Sequence, residues 1–147
     1  VNEGGRSISA EALDEAVGVI DGFPYMMQLV GYRMWAENPC SEQIALADAR
    51  HGIELAKREM IEGILEYTYR ELSDGDKRFL AAMLPDSQDS SLAAISRRMG
   101  VKSTYASQYK RRLLAQGVIG EYSKGYVRFD MPVFRDYLEQ RLKEEQE

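Results

Sequence analysis

The chain has 147 residues, of which 44% are hydrophobic and 29% charged, and its formal net charge is −5. This length suits one medium domain or two small ones, and the composition is typical of a globular protein. No apolar run reaches the roughly 18 residues of a membrane-spanning helix, and no signal-peptide pattern begins the chain. The single cysteine, Cys40, excludes an intrachain disulfide and favours a reducing, cytoplasmic location.

The charge is distributed unevenly along the chain. Residues 1–70 carry twelve acidic and six basic side chains, whereas residues 71–147 carry twelve acidic and thirteen basic ones. Residues 96–128 contain eight basic side chains and one acidic residue, Glu121, which gives this segment a net charge of +7. Because phosphates respond to charges within about 10 Å, the acidic total does not exclude binding to nucleic acid.

The first two helices are predicted between residues 8 and 37, after a disordered start at 1–7. Ser9 is a typical N-cap for a helix that ends near Gly22. Pro24 suits the first turn of the second helix, which ends at Asn38. This second helix is apolar on almost all sides, so we expect it to be buried.

A long third helical segment is predicted from Ser41, as N-cap, to Tyr69. Its apolar residues recur at helical spacing, and hardly any residue in it breaks a helix. Gly52 and Gly63 indicate a bend or a close contact with a neighbouring element. Residues 1–70 therefore predict a small helical bundle.

Three shorter helices are predicted between residues 73 and 115. Ser73 and Asp76 have the spacing of a capping box, Ser91 is suited to cap the second helix, and Ser103 to cap the third. A tight turn at residues 100–102 separates the second helix from the third.

The apolar period then changes from helical to alternating. Residues 118–122 and 126–130 predict a two-stranded hairpin around a Ser-Lys-Gly turn, and a last helix begins at Pro132. Three helices followed by a hairpin are typical of a winged helix-turn-helix. The predicted fold class is therefore mainly α, with a helical bundle at 1–70 and a winged helix at 71–147.

The third helix of this second part has the chemistry of a DNA-recognition helix. At 100° per residue, Ala106, Tyr109, Leu113 and Leu114 form a core stripe, and Thr104, Gln108 and Arg111 face outward. Glutamine and arginine bond the edges of adenine and guanine, and a helix N-terminus suits a phosphate. The candidate DNA-binding residues are Lys102, Ser103, Thr104, Tyr105, Ser107, Gln108, Arg111, Arg112, Lys124 and Arg128. Lys110 leans toward the core. Charged helix faces are also commonly just solvated.

Other chemistry has little support in the sequence. His51 is the single histidine, near Asp48 and Glu54, and a surface position is favoured over catalysis or metal binding. Cys40 has no partner for a metal site or for nucleophilic catalysis. No G-x-x-x-x-G-K-[ST] or G-x-G-x-x-G pattern occurs, so this chain does not hold nucleotide phosphates alone.

The segment GFPYMMQLVGYRMW, residues 22–35, resembles the lid subdomain of AAA+ family ATPases, in the archaeal ATPase and origin-recognition branch. LSDGDKRFLAAM and the later YASQYKRRLLAQGVI resemble the C-terminal winged-helix region of the same proteins. The resemblance covers residues 8–140. It implies a C-terminal fragment that is not itself an enzyme, cut from a bacterial ATP-binding protein whose upstream core binds ATP and Mg²⁺. The first residue, valine, agrees with this expectation.

The resemblance also bears on the start of the second helix. Such lids often carry a phosphate-sensing arginine there, but this chain has Tyr25, and Arg33 lies two turns further on. Pro24 and Tyr25 are therefore expected to contact only the adenine side of a nucleotide.

Three hypotheses follow from the sequence. In the first, the winged helix binds duplex DNA under control of the chain's own ATPase core, as the origin-recognition resemblance implies. In the second, it is a protein-interaction module of a signalling NTPase. In the third, the chain is a stand-alone transcription regulator that dimerises through residues 8–70. The sequence leaves homo-oligomerisation open.

Overall fold

The protein is described by a computed structural model, in which residues 5–22 and 24–147 are placed well enough to describe. The chain is mainly helical, with two small sheets. Its internal contacts divide it into two compact units, unit 1 (Val1–Glu66) and unit 2 (Tyr67–Glu147). The boundary predicted from the sequence, after residue 70, lies four residues later. No helix within the described ranges is both long and apolar enough to cross a membrane.

Unit 1 consists of helices packed on one another and a short parallel pair of strands. Its elements are β1 (Ser7–Ile8), α1 (Ala10–Ile20), α2 (Pro24–Glu37), β2 (Gln43–Ile44), α3 (Leu46–Met60) and a π-helical turn (Ile61–Leu65). The Ser9 hydroxyl accepts a hydrogen bond from the Ala12 amide, which confirms the predicted N-cap. The third helix begins at Leu46 rather than at Ser41, because the intervening residues form β2 and pair with β1.

The predicted disorder of residues 1–7 is wrong where the structure describes this segment, and residues 1–4 lie outside the described part. Arg6 is only 8% exposed. Its guanidinium donates hydrogen bonds of 2.6–2.7 Å to the carbonyl oxygens of Trp35, Asn38 and Ser41. These carbonyls lie at and beyond the end of α2, where a helix leaves acceptors unsatisfied. One arginine thus fixes the start of the described chain to the α2–β2 connection.

The prediction that α2 is buried on all sides is also wrong. Met26, Val30 and Met34 form its buried face, whereas Met27 and Tyr32 are 55% and 66% exposed. The buried face packs mainly on α3. Gly52 of α3 lies so close that an added Cβ would be 2.8 Å from the Met34 backbone nitrogen. The close contact predicted at Gly52 is therefore confirmed.

The single histidine and the single cysteine of the chain are both exposed on unit 1. His51 is exposed, as predicted, and its Nδ1 atom pairs with Glu37 of α2 rather than with Asp48 or Glu54. Cys40 is exposed in the connection between α2 and β2.

Unit 2 contains helices around a three-stranded antiparallel sheet. Its elements are α4 (Glu66–Glu71), α5 (Asp74–Met83), β3 (Ser90–Ser91), α6 (Leu92–Met99), α7 (Ser103–Ala115), β4 (Ile119–Ser123), β5 (Tyr126–Phe129) and α8 (Phe134–Gln146). The first residue of α4, Glu66, is the last residue of unit 1. The predicted hairpin is confirmed as β4 and β5. The two-residue strand β3, which the sequence did not predict, pairs with β5 and gives the sheet order β3-β5-β4.

The predicted helix caps of unit 2 are confirmed at two of three positions. The Ser73 hydroxyl accepts from the Asp76 amide, and Asp76 accepts from the Ser73 amide, which completes a capping box. The Ser91 hydroxyl accepts from the Ala94 amide at the start of α6. Helix α8 begins at Phe134, two residues after the predicted start at Pro132.

Helix α8 continues into the acidic tail because a buried tyrosine holds its last turn. The Tyr69 hydroxyl donates to Glu145 over 2.7 Å. Lys77 Nζ and the Arg141 guanidinium lie 4.5 and 4.8 Å from the centre of the Tyr69 ring, at cation–π distance. Burial and the bond to Glu145 raise the pKa of Tyr69 to about 12. This cluster ties α4, α5 and α8 together.

The connection from α5 to β3 is held by an ion pair that should respond to acid. Arg98 donates two hydrogen bonds to the Asp86 carboxylate, 2.6 and 3.1 Å long. The bonds from Arg98 and from Ser90 lower the pKa of Asp86 to about 2. A carboxyl whose pKa is depressed on folding stabilises above its unfolded pKa near 4, and this contribution disappears as the pH falls toward 2.

We therefore expect the free energy of unfolding of unit 2 to decrease less in Asp86→Asn than in wild type between pH 4 and pH 2. The measurement is the urea midpoint of unit 2 at pH 5 and at pH 2.5. Asp89→Asn, at an exposed position of the same connection, is the control and should keep the wild-type pH dependence. An unchanged pH dependence in Asp86→Asn would show that the pair does not contribute.

Candidate functional site

Helix α7 is fixed in unit 2 by its apolar stripe and presents its other face to solvent. Ala106 and Leu113 are fully buried. The Tyr109 ring lies against Gly75 of α5, where an added Cβ would overlap it. Thr104, Gln108 and Arg111 are all exposed. The outward face predicted from the helical period is therefore confirmed.

The start of α7 differs from the prediction, because Ser103 is the first helical residue and not the cap. Lys102 occupies the N-cap position, and no side chain caps the helix there. A lysine side chain has only donors and is unable to accept from backbone N–H groups. The Ser107 hydroxyl turns back and donates to the Ser103 carbonyl oxygen over 2.9 Å. Ser107 is therefore a weaker candidate for contacting a ligand than Thr104 or Gln108.

Arg112, predicted as a DNA contact, is already engaged by unit 2 itself. Its guanidinium donates to the Asp76 carboxylate over 3.1 Å. Asp76 is fully buried and also completes the capping box of α5. Arg112 thus links α7 to α5.

Tyr105 is exposed near the start of α7 and is held by its neighbour one turn on. The rings of Tyr105 and Tyr109 make an edge-to-face contact, 5.3 Å between centroids, and the Tyr109 hydroxyl donates to the Tyr105 hydroxyl over 3.0 Å. This bond and burial raise the pKa of Tyr109. The orientation of the Tyr105 ring is therefore fixed in advance of any ligand.

An ion pair joins the hairpin to α7. Lys110 pairs with Glu121 of β4 and lowers the pKa of this carboxyl. At the other end of the hairpin, Lys124 lies exposed in the turn between the strands. The Arg128 guanidinium lies 3.8 Å from the centre of the Tyr122 ring. The Tyr122 hydroxyl donates to Asp130, and this bond raises the pKa of Tyr122.

Ion pairs reduce the positive charge that residues 96–128 present to a ligand. Two carboxylates from outside residues 96–128, Asp76 and Asp86, pair with arginines inside it. Including both carboxylates lowers the net charge of the segment from +7 to +5. Lys102, Arg111 and Lys124 are exposed and form no ion pair with the described part of the chain.

A depression of about 450 Å³ lies beside the start of α7, lined by residues that include Lys102, Tyr105 and Gln108. Arg78 of α5 also lines it, a residue that was not among those predicted from the sequence. The helical period of α5 places Arg78 outside the apolar stripe and so predicts that it is at the surface. The period alone does not show which helix lies opposite Arg78.

The predicted nucleotide contacts lie in unit 1. Pro24 and Tyr25 are exposed at the start of α2. Arg33 is the arginine nearest to the predicted sensor position, and it already pairs with Glu59 of α3.

The comparisons with known proteins give one match. A family model described as Domain of unknown function (DUF8462) matches residues 62–138. No curated protein and no solved structure matches the chain. The matched segment includes α5, α6, α7 and both strands of the hairpin, and it covers more than half of the 147 residues. The chain therefore belongs to the family described as Domain of unknown function (DUF8462).

Proposed function

We propose that unit 2 is a winged helix that binds duplex DNA, with α7 as the recognition helix and the β4–β5 hairpin as the wing. The observation that carries this proposal is the solvent-facing side of α7. Thr104, Gln108 and Arg111 are exposed together there. Lys102 at the start of the helix and Lys124 in the hairpin turn pair with no carboxylate in the described residues. Such a face combines base-edge chemistry with phosphate-binding charge.

The residues divide into two kinds of contact. Gln108 and Arg111 carry the groups that bond adenine and guanine in the major groove, and the small Thr104 permits close approach. Lys102, Ser103, Lys124 and Arg128 serve the phosphate backbone, which fixes position rather than sequence. The Lys110–Glu121 pair supports the proposal because it holds the wing beside α7.

The parent protein, on the resemblance of residues 22–35 and 73–119, is proposed to be an AAA+ ATPase whose core controls DNA binding. The residues of this chain do not fit ATP on their own. Its sequence has no phosphate-binding loop, and Arg33 is paired with Glu59. Pro24 and Tyr25, both exposed, are left as contacts to the adenine side of a nucleotide.

The test is binding of random-sequence duplex DNA at several salt concentrations, measured by fluorescence anisotropy. We expect the triple variant Lys102→Gln, Arg111→Gln, Lys124→Gln to bind at least about tenfold more weakly. The salt slope, which is the slope of log affinity against log salt concentration, should decrease by the contribution of about three phosphate contacts. Arg112 is left intact, because its loss would change stability as well as charge.

The matched control removes the same charge from exposed positions outside this face, with Arg58→Gln, Arg70→Gln and Lys143→Gln. It should retain most of the affinity and the salt slope. Equal losses in both triple variants would mean that net charge alone attracts the DNA, and the assignment of this face would then be wrong.

One observation favours the second candidate, a protein-interaction module. Tyr122 and Tyr126 of the wing are 60% and 47% exposed, and exposed tyrosines are enriched at protein interfaces. If wild-type protein binds no duplex even at low salt, this candidate replaces DNA binding as the proposed function.

A further inference from the structure

Arg78 of α5 lies where two neighbouring depressions of unit 2 meet. The first, about 450 Å³, reaches Lys102 and Tyr105 at the start of α7. The second, about 340 Å³, reaches Arg98 and Pro85 beyond the end of α5. We call the two together the Arg78 groove. It extends from Thr104 and Gln108 of α7 to Ala81, Ala82 and Pro85 at the end of α5.

The Arg78 groove has the charge of a phosphate-binding surface. No acidic residue is among those that line either depression. Arg98 has its charge balanced by Asp86, whereas Arg78 and Lys102 form no ion pair with the described residues. Two uncompensated cations in a concave surface without carboxylates attract a polyanion more strongly than scattered surface lysines do.

Arg78 is also held in position before any ligand arrives. Its guanidinium donates to the Met99 carbonyl oxygen over 2.9 Å, at the C-terminal end of α6. The partial negative charge of a helix C-terminus favours a cation there. A guanidinium has five donors, so this single bond leaves others for a ligand. Fixing the side chain in advance lowers the entropy lost on binding.

We propose that the Arg78 groove binds the phosphate backbone of duplex DNA beyond the segment held by α7 and the wing. The inference rests on the proposed function of unit 2 and extends it, since it adds Arg78 as a DNA-contact residue and lengthens the bound duplex. Lys102, at the end shared with α7, connects the two surfaces.

The experiment compares wild type, Arg78→Gln and Arg78→Lys on duplexes of about 10 and about 20 base pairs, one and two helical turns. Wild type should bind the longer duplex more tightly than the larger number of binding positions alone accounts for. Arg78→Gln should lose this extra affinity for the longer duplex. Its salt slope on the longer duplex should decrease by the contribution of about one phosphate contact. Arg78→Lys, which keeps the charge, should retain most of both.

The dependence on duplex length distinguishes direct contact of Arg78 with DNA from a purely structural role. A residue that only stabilises α6 would weaken binding to both duplexes equally. Circular dichroism establishes that each variant is folded at the assay temperature. Arg70→Gln is the control, at an exposed position of α4 outside both depressions. If Arg78→Gln keeps the wild-type length dependence while the short duplex still binds, the groove proposal is overturned and the proposed function stands. If wild type binds neither duplex, both are overturned.

Discussion

Replacing Asp76 with alanine is expected to lower the free energy of unfolding of unit 2 by about 3 kcal/mol. The fully buried carboxylate accepts from the Ser73 amide over 2.9 Å and from Arg112 over 3.1 Å. Its loss removes the capping box of α5 and the link between α5 and α7 in one change. The effect lies at the low end for a broken buried ion pair, because the Arg112 side chain is 52% exposed and regains water.

Hydrogen exchange of the α5 and α7 amides measures this loss within the full chain. The lone tryptophan, Trp35, lies in unit 1 and therefore does not report on it. Asp74→Ala is the matched control, since Asp74 is an exposed aspartate in the same first turn of α5. It should cost only about 0.5 kcal/mol, through the helix dipole. Similar losses in the two variants would contradict the structural role assigned to Asp76.

Replacing Gly52 with alanine is expected to destabilise unit 1 by about 3 kcal/mol. The added Cβ would lie 2.8 Å from the nitrogen and 2.9 Å from the Cα of Met34. These are backbone atoms in the last turn of α2, so no side chain is able to turn aside, and the two helices must move apart. Met26, Val30 and Met34, which fill the interior of unit 1, would lose packing as a result.

Trp35 fluorescence during urea unfolding is the appropriate measurement, because this residue lies in α2 one position after Met34. Gly18→Ala is the control with the opposite expected sign. Gly18 lies within α1, and nothing lies within 4 Å of an added Cβ there. Alanine should stabilise this helix by up to about 1 kcal/mol. A Gly52→Ala variant as stable as wild type would show that α2 and α3 separate at little cost.

The features that the sequence predicted correctly depend on residues near each other in the chain. Ser73 and Asp76 are three residues apart, as are the capping Ser91 and the amide of Ala94 that it accepts from. The outward face of α7 follows from the helical period, which needs only the identities of consecutive residues. The hairpin likewise follows from alternation on either side of a Ser-Lys-Gly turn.

Two of the predictions that failed concern residues whose neighbours are distant in the chain. The period of α2 shows apolar residues on every side, but only the packing with α3 determines which of them are buried. Arg6 stood in a polar segment with no local partner, and its three acceptors lie 29 to 35 residues away. No local pattern distinguishes such an arginine from a solvated one.

By itself, the sequence determined the helical content, most helix boundaries in unit 2, the hairpin, and which side of α7 faces outward. The tertiary structure decided which cations of unit 2 are available to a ligand. Arg112 is paired with Asp76, 36 residues away, and Lys110 with Glu121 on the hairpin, whereas Arg78 lies in a groove beside Lys102. The physical reason is that an ion pair depends on the distance between side chains in space, and this distance is set only when helices and strands pack together.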